Sequence, residues 1–217
     1  YKIHHKMTVR YSLAHEAVSH VKSGNRVFLQ GAAMTPKFLI DALCDRYKEL
    51  EDVEIIQMHT EGEAKYTLDP YKKAFKINSC FVGGNIRKEV NASRGDYIPI
   101  FLSEIHKLFR DHILPLDVAI IQVSPPDKHG YCSLGTSIDV TIAAIETARI
   151  VLAQINPQVP RSHGDGIIHL SKIDAAVDVN APIFSHDPVE PSDVESRIGS
   201  NIAELVEDGA TLQMGIG

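Results

Sequence analysis

The run Asp117-Val118-Ala119-Ile120-Ile121-Gln122-Val123 constrains this chain more than any other stretch. It is apolar on both alternating faces, so as a strand it must be central and covered on both sides. Ile150-Val151-Leu152-Ala153-Gln154-Ile155, stopped by Asn156-Pro157, has the same character. Val27-Phe28-Leu29, closed by Gly31, and Val53-Glu54-Ile55-Ile56 read as further buried strands. Helical patterns lie between these runs. Leu13, Ala17, Val18 and Val21 recur at helical spacing, and Ser23-Gly24-Asn25 ends that helix. Pro36 is expected as a first helical residue, because its missing N–H costs nothing there. Strands alternating with helices predict an α/β fold, an open and largely parallel sheet with flanking helices.

The middle of the chain repeats the theme. Ser79-Cys80-Phe81-Val82 reads as a short strand broken by Gly83-Gly84, with Asn85 capping a helix to about Ala92. Tyr97 to Ile100 is extended, and Pro99 argues for an edge or loop position. Ser103 to Phe109 and Val140 to Ala148 are expected helices. Residues 156–192, with Pro157, Pro160, Pro182, Pro188 and Pro191, read as loop-rich, with one short strand near Ile167-Ile168-His169-Leu170 and then a linker.

A repeat follows. Glu16 to Val27 and Asn201 to Leu212 share one design: an amphipathic helix, a polar turn with glycine, then a strand. Gly24 and Gly209 lie 185 positions apart, as do Val21 and Val206. The expectation is one α/β domain over 1–191 and the start of a second, similar domain over 192–217. The alternative is that Thr211-Leu212-Gln213-Met214 is a terminal strand completing the first sheet.

Composition excludes several classes. Hydrophobic residues make up 44% and charged residues 23%, an ordinary globular mixture rather than a disordered or collagen-like one. A formal charge of −6 disfavours a nucleic-acid partner. Cys44, Cys80 and Cys132 have neither zinc-ligand nor redox-motif spacing, so three reduced thiols and a cytoplasmic location are expected. No apolar run approaches the ~20 residues of a membrane span, and Tyr1 to Lys6 has no signal-peptide character.

Ser124-Pro125-Pro126-Asp127-Lys128-His129-Gly130-Tyr131-Cys132-Ser133-Leu134-Gly135 closely resembles the first-domain signature of the acetyl-CoA hydrolase/transferase family, which includes 4-hydroxybutyrate and butyrate CoA-transferases. Phe81 to Arg87, Asp96 to Pro99 and Asp208 to Gly217 agree with it in order, and the likeness runs from about Lys6 to the last residue. The resemblance implies two similar α/β domains of the CoA-transferase type with the active site between them. It implies a glutamate carboxylate that attacks an acyl-CoA, and passage through a glutamyl-CoA thioester before a second carboxylic acid takes the CoA. A carboxylate suits this work because it is already ionised at neutral pH, and covalent catalysis divides one hard step into two. The implied partners are coenzyme A, as substrate, an acyl-CoA and a short-chain carboxylate, in a homo-oligomer without metal.

In the family the glutamate lies in a His-Ser/Thr-Glu-Met type motif beyond the Gly-Ile-Gly turn, and no such motif occurs in these 217 residues. His59-Thr60-Glu61 is followed by Gly62 and reads as a first-domain loop, not as the nucleophile. By resemblance, Gly215, Ile216 and Gly217 match the CoA-contacting turn of the second domain. Thr60, Gly83, Gly84 and Asn85 follow strand ends, where α/β folds place ligands, and are candidate cleft residues with turn or capping roles as the alternative. Ser124–Gly130 is either a cleft loop or a rigid turn.

Other chemistry finds less support. His163, Asp165 and His169 are close in sequence but lack metal-site spacing. No dinucleotide fingerprint, phosphate loop or serine-hydrolase elbow is present. Lys65, Lys72, Lys73 and Lys76 read as a solvated face. A water-resolved acyl-CoA hydrolase, an inactive fragment and a sugar-phosphate isomerase remain the alternatives to CoA transfer.

Overall fold

A computed structural model describes residues 9–187, 189–213 and 215. The apolar runs form strands, in chain order with the helices as follows. β1 is Arg10–Tyr11, α1 Ala14–Val18, β2 Arg26–Leu29, α2 Lys37–Asp45, β3 Val53–Gln57 and β4 Phe75–Ser79. Next come α3 Arg87–Asn91, β5 Gly95–Tyr97, α4 Leu102–Arg110, β6 Val118–Val123, β7 Tyr131–Ser133 and α5 Thr141–Thr147. The chain continues through β8 Ile150–Ile155, β9 Ile167–His169, β10 Ala175–Asp178 and α6 Asp193–Ala203.

Among the described residues the main sheet has eight strands in the order β1-β10-β8-β6-β2-β3-β4-β5. Every pairing in it is parallel. β6 is an inner strand buried at all six positions, as its two apolar faces require. Val118 and Ile120 join the core beneath α1 and α2, with Leu39, Leu43, Ile55 and Leu152. Ala119, Ile121 and Val123 join the core beneath α4 and α5, where Phe28 and Phe109 meet edge to face at 5.7 Å. From β2 the chain steps outward through β3, β4 and β5, whereas β6, β8 and β10 step outward on the other side. The reversal between β2 and β6 is a topological switch point, and the crevice beyond the carboxyl ends of those strands is where open α/β sheets bind ligands.

Several local expectations are corrected. The strand read at Ser79–Val82 lies earlier, at Phe75–Ser79, because Phe75, Ile77 and Ser79 point inward while Lys76 is exposed. Asn85 does not cap α3, whose N-cap is Ile86 without a side-chain bond. The loop-rich region 156–192 contains a second strand, β10, inserted between β1 and β8. Its short Ala175-Ala176-Val177 core gave little hydrophobic signal.

The chain divides into two units, 1–184 and 185–217. In the second, Ser192 and Glu195 form a capping box at the start of α6. Val194, Ile198 and Ile202, one stripe of that helix, are exposed. Thr211, Leu212 and Gln213 form no strand and complete no sheet, and Met214 lies outside the described residues. Gly24 and Gly209 share a left-handed backbone, with φ of 75° and 80°, so the repeat extends to the conformation of its glycine turn.

Candidate active site

The loop after β2, which flanks the switch point, is joined backbone to backbone with the loop after β3. Gly31 leaves β2 so close to the loop after β3 that an added Cβ would lie 2.3 Å from the His59 carbonyl oxygen. Ala32 then donates its N–H to the same carbonyl at 2.9 Å, in a left-handed conformation (φ 49°). Ala32 and Thr60 form an isolated parallel bridge. The Thr35 hydroxyl donates to the Ala32 carbonyl and accepts from the Glu61 N–H at 2.9 Å. Two loops that each end a central strand therefore behave as one rigid rim.

Thr60 is buried in this rim. Its hydroxyl donates to Gln57 Oε1 at 2.8 Å and lies 3.0 Å from the Tyr66 hydroxyl. Tyr66 also donates to Gln57 Oε1, at 2.6 Å. Burial pushes the Tyr66 phenol up, which keeps it a neutral donor. Gln57 Nε2 is buried without a partner. Asn85 reaches across from the loop after β4 and donates to the carbonyls of Thr60 (2.8 Å) and Gly62 (3.1 Å). A Cβ on Gly83 would lie 3.1 Å from Asn85 Oδ1, whereas Gly84 faces open space. Thr60, Gly83 and Asn85 are thus brought together, with Gly84 on their outer side. Gly215 is exposed outside any helix or strand, and Ile216 and Gly217 lie outside the described residues.

The other side of the crevice rests on carboxamides that sequence reasoning missed. Gln30 Oε1 accepts from the Gln122 N–H at 2.7 Å, while Gln30 Nε2 donates to the carbonyls of Leu134 and Ser137. Gln122 Oε1 accepts from Gln154 Nε2 at 2.7 Å and Asn156 Nδ2 at 3.0 Å. Gln154 Oε1 accepts the Leu39 N–H in the first turn of α2. The signal was present: Gln30 and Gln57 directly follow the apolar runs Val27–Leu29 and Val53–Ile56, and Gln122 and Gln154 stand one residue before the ends of Val118–Val123 and Ile150–Ile155.

The signature segment Ser124–Gly135 builds a turn. Asp127 Oδ1 accepts the N–H groups of His129 (2.8 Å) and Tyr131 (2.9 Å), and Arg161 binds Oδ2 at 2.8 Å. The Tyr131 and His129 N–H groups, with Arg161, hold the Asp127 carboxyl below its usual range. Gly130 turns the chain at φ 83°. The turn docks β7 on the end of β6 through Ser124, whose hydroxyl accepts the Ser133 N–H.

No group of three His, Cys, Asp or Glu able to hold a metal occurs among the described residues. Lys65, Lys72 and Lys76 each pair with an aspartate, Asp45, Asp69 and Asp52 respectively. Burial pushes Cys44 up to about 12 and Cys80 and Cys132 up to about 11, so none is a thiolate nucleophile near neutrality.

Fold and site define a class: a parallel α/β domain whose carboxyl edge is rimmed by the loops after β2, β3 and β4. Residues 4–184 match the model of the acetyl-CoA hydrolase/transferase N-terminal domain, and the chain belongs to that family. It is 44% identical over 204 residues to the 4-hydroxybutyrate coenzyme A transferase of Clostridium kluyveri, covering 94% of this chain and 48% of that protein. It is 47% identical over 205 residues to the succinyl-CoA:acetate/propanoyl-CoA:succinate CoA transferase of Fasciola hepatica, covering 93% and 42%. The crystal structure of RipA from Yersinia pestis superposes with a TM-score of 0.87 at 29% identity, covering 96% of this chain and 51% of that one. A 4-hydroxybutyrate CoA-transferase structure from Porphyromonas gingivalis gives 0.79 at 34% identity, covering 96% and 48%. The chain spans about half the length of the curated relatives it matches.

Replacing Gly31 by alanine forces its Cβ against the His59 carbonyl. The expected loss is about 1–3 kcal/mol, typical of overpacking, read from the urea midpoint; an unchanged midpoint would show that the two loops are not locked.

The thiols carry a pH prediction. Unfolded cysteines ionise near about 8.5, whereas the folded values are about 11 to 12. Their contribution to stability is therefore fully present below the unfolded value and lost as the pH rises through the folded ones. Near pH ~8, an aromatic disulfide reagent should modify all three rapidly in urea and only slowly in the folded protein. Equal rates would contradict the burial.

Proposed function

We propose that the whole protein containing this chain is an acyl-CoA:carboxylate CoA-transferase of the 4-hydroxybutyrate, acetate or butyrate type. The observation that carries this reading is the locked rim of Gly31, Ala32, Thr60 and Asn85 beside the switch point of a domain whose relatives are named as CoA-transferases. Those names also favour transfer over hydrolysis by water.

In the proposed reaction a glutamate carboxylate oxygen attacks the thioester carbonyl and CoA leaves as thiolate, giving a mixed anhydride. The thiolate then attacks the glutamyl carbonyl, releasing the first acid and leaving a glutamyl-CoA thioester. The incoming acid repeats these steps in reverse. The relatives' additional length supplies room for the nucleophile, since no His-Ser/Thr-Glu-Met motif occurs here. On this reading the 217-residue chain by itself turns nothing over, and residues 192–217 open a second, similar domain. The exposed stripe of Val194, Ile198 and Ile202 supports that reading, because an amphipathic helix needs apolar cover. Gly215, Ile216 and Gly217 are assigned to CoA contact, and Thr60, Gly83, Gly84 and Asn85 to the substrate cleft.

Among the described residues no helix is long and apolar enough to cross a membrane. Three free, buried cysteines support a reducing, cytoplasmic setting. Exposed Phe81, Tyr97, Phe101 and Leu102 support assembly into a homo-oligomer. The activity is tested by incubating the whole protein with acetyl-CoA and butyrate or 4-hydroxybutyrate. The expected products are acetate and the new acyl-CoA. Release of free CoA without an acceptor acid would replace the reading with a hydrolase, and no reaction with any short acid would end it.

A further inference from the structure

The signature prolines Pro125 and Pro126 lie outside the rim, yet they follow β6 at the carboxyl edge, where open α/β sheets place ligands. With Ile155, Pro157 and Val179 they form the apolar lining of a cavity of about 440 Å³. Tyr11, Asp178 and Asn180 complete it. Strand register brings these residues together. Asp178 pairs with Ile155, and Tyr11 pairs with Ala176, two residues before Asp178. Side chains two apart in a strand share a face, so Tyr11, Asp178 and Ile155 stand on one side of the sheet.

The lining is held in place by hydrogen bonds. Val179 donates its N–H to the Ile155 carbonyl at 2.9 Å, and Gln158 Nε2 donates to Asn180 Oδ1 at 3.0 Å. Asn156, fully buried, donates from Nδ2 to the Ala181 carbonyl at 2.8 Å and so fixes the chain just beyond Asn180. The Ser124 hydroxyl donates to the Pro125 carbonyl at 3.1 Å. The proline rings fix their own φ. A pocket formed in advance loses little freedom when a ligand enters. Its volume falls in the range of small-molecule sites, about 300–1,000 Å³, and it shares their pattern of an apolar lining with a few polar groups.

The polar groups define what the cavity takes. Tyr11 is 51% exposed, and burial and the neighbouring Asp178 carboxylate push its phenol up. It therefore presents an aromatic ring and a neutral hydroxyl. Among the described residues, no basic side chain lines the cavity, so its one charge is the Asp178 carboxylate. A carboxylate beside an aromatic ring attracts an organic cation and repels the carboxylates and phosphates of the proposed substrates. We propose that this cavity is a second ligand site, separate from the rim, that binds a small primary ammonium carried on an apolar group. It stands three to four strand spacings from the loop after β3, about 14–19 Å, and does not rest on the CoA-transferase reading.

The test titrates the whole protein with phenethylamine, phenethyl alcohol and hydrocinnamate, which share one apolar body and differ in charge. Dissociation constants are read by ligand-observed NMR near neutral pH. The expected order of affinity is amine, then alcohol, then acid. Asp178→Asn should weaken the amine about 2- to 5-fold, the scale of exposed ion pairs, and leave the alcohol unchanged. Asp178→Lys should place the acid ahead of the amine. Tyr11→Phe keeps the ring and should keep the preference for the amine, whereas Tyr11→Leu should weaken the amine about 2- to 5-fold. The Asp178 side chain is exposed at the end of β10, so its replacement leaves the core untouched. No binding of the amine, equal affinity for amine and acid, or an amine affinity unmoved by both Asp178 replacements would overturn the proposal.

Discussion

Gln122 sits at the end of the most buried strand, and its carboxamide oxygen accepts from both Gln154 and Asn156. Its backbone N–H is taken by Gln30, which in turn holds the carbonyls of Leu134 and Ser137. Through these contacts β2, β6, β8, the first turn of α2 and Ala181 are tied to one polar row. Such groups are expensive to bury unpaired, about 1–3 kcal/mol each, so the row is stable only when every strand end is in register. The cores on either face supply most of the driving force for folding. The row decides where the loops at the carboxyl edge must lie.

That constraint explains why so much of the site is backbone. The rim of Gly31, Ala32 and Thr60 is closed by main-chain bonds and one threonine hydroxyl, and Asn85 reinforces it by holding carbonyls. Loops that end adjacent parallel strands are about 4.8 Å apart. A residue without a Cβ at Gly31 lets them close completely. The outcome is a rim shaped by chain path.

Most of the fold was legible in the sequence. Runs such as Asp117–Val123 and Ile150–Ile155 can only be central strands, and the helix patterns between them fix the α/β class. β10 was not legible, because Ala175 and Ala176 carry little hydrophobic signal and the strand is fixed by its neighbours β1 and β8. β4 was displaced because Lys76 and Asn78 mask its inward face. Thr60, Gly83 and Asn85 could be found from their place after strand ends, although Asn85 clamps a neighbouring loop rather than capping a helix. Gln30, Gln57, Gln122 and Gln154 could have been found from their shared place at the ends of apolar runs. The contact of Phe184 with Gly62 could not, since it joins residues distant in sequence through a segment that reads as linker.

The central claim is the proposal that the rim formed by the loops after β2, β3 and β4 faces the bound acyl-CoA. Backbone hydrogen exchange of the whole protein, with and without saturating acyl-CoA, tests it most directly. The account predicts slowed exchange in residues 31–35, 59–62 and 83–85, with β1 and α1 unchanged. Protection confined to other parts of this domain, with those three segments exchanging as in the free protein, would contradict it.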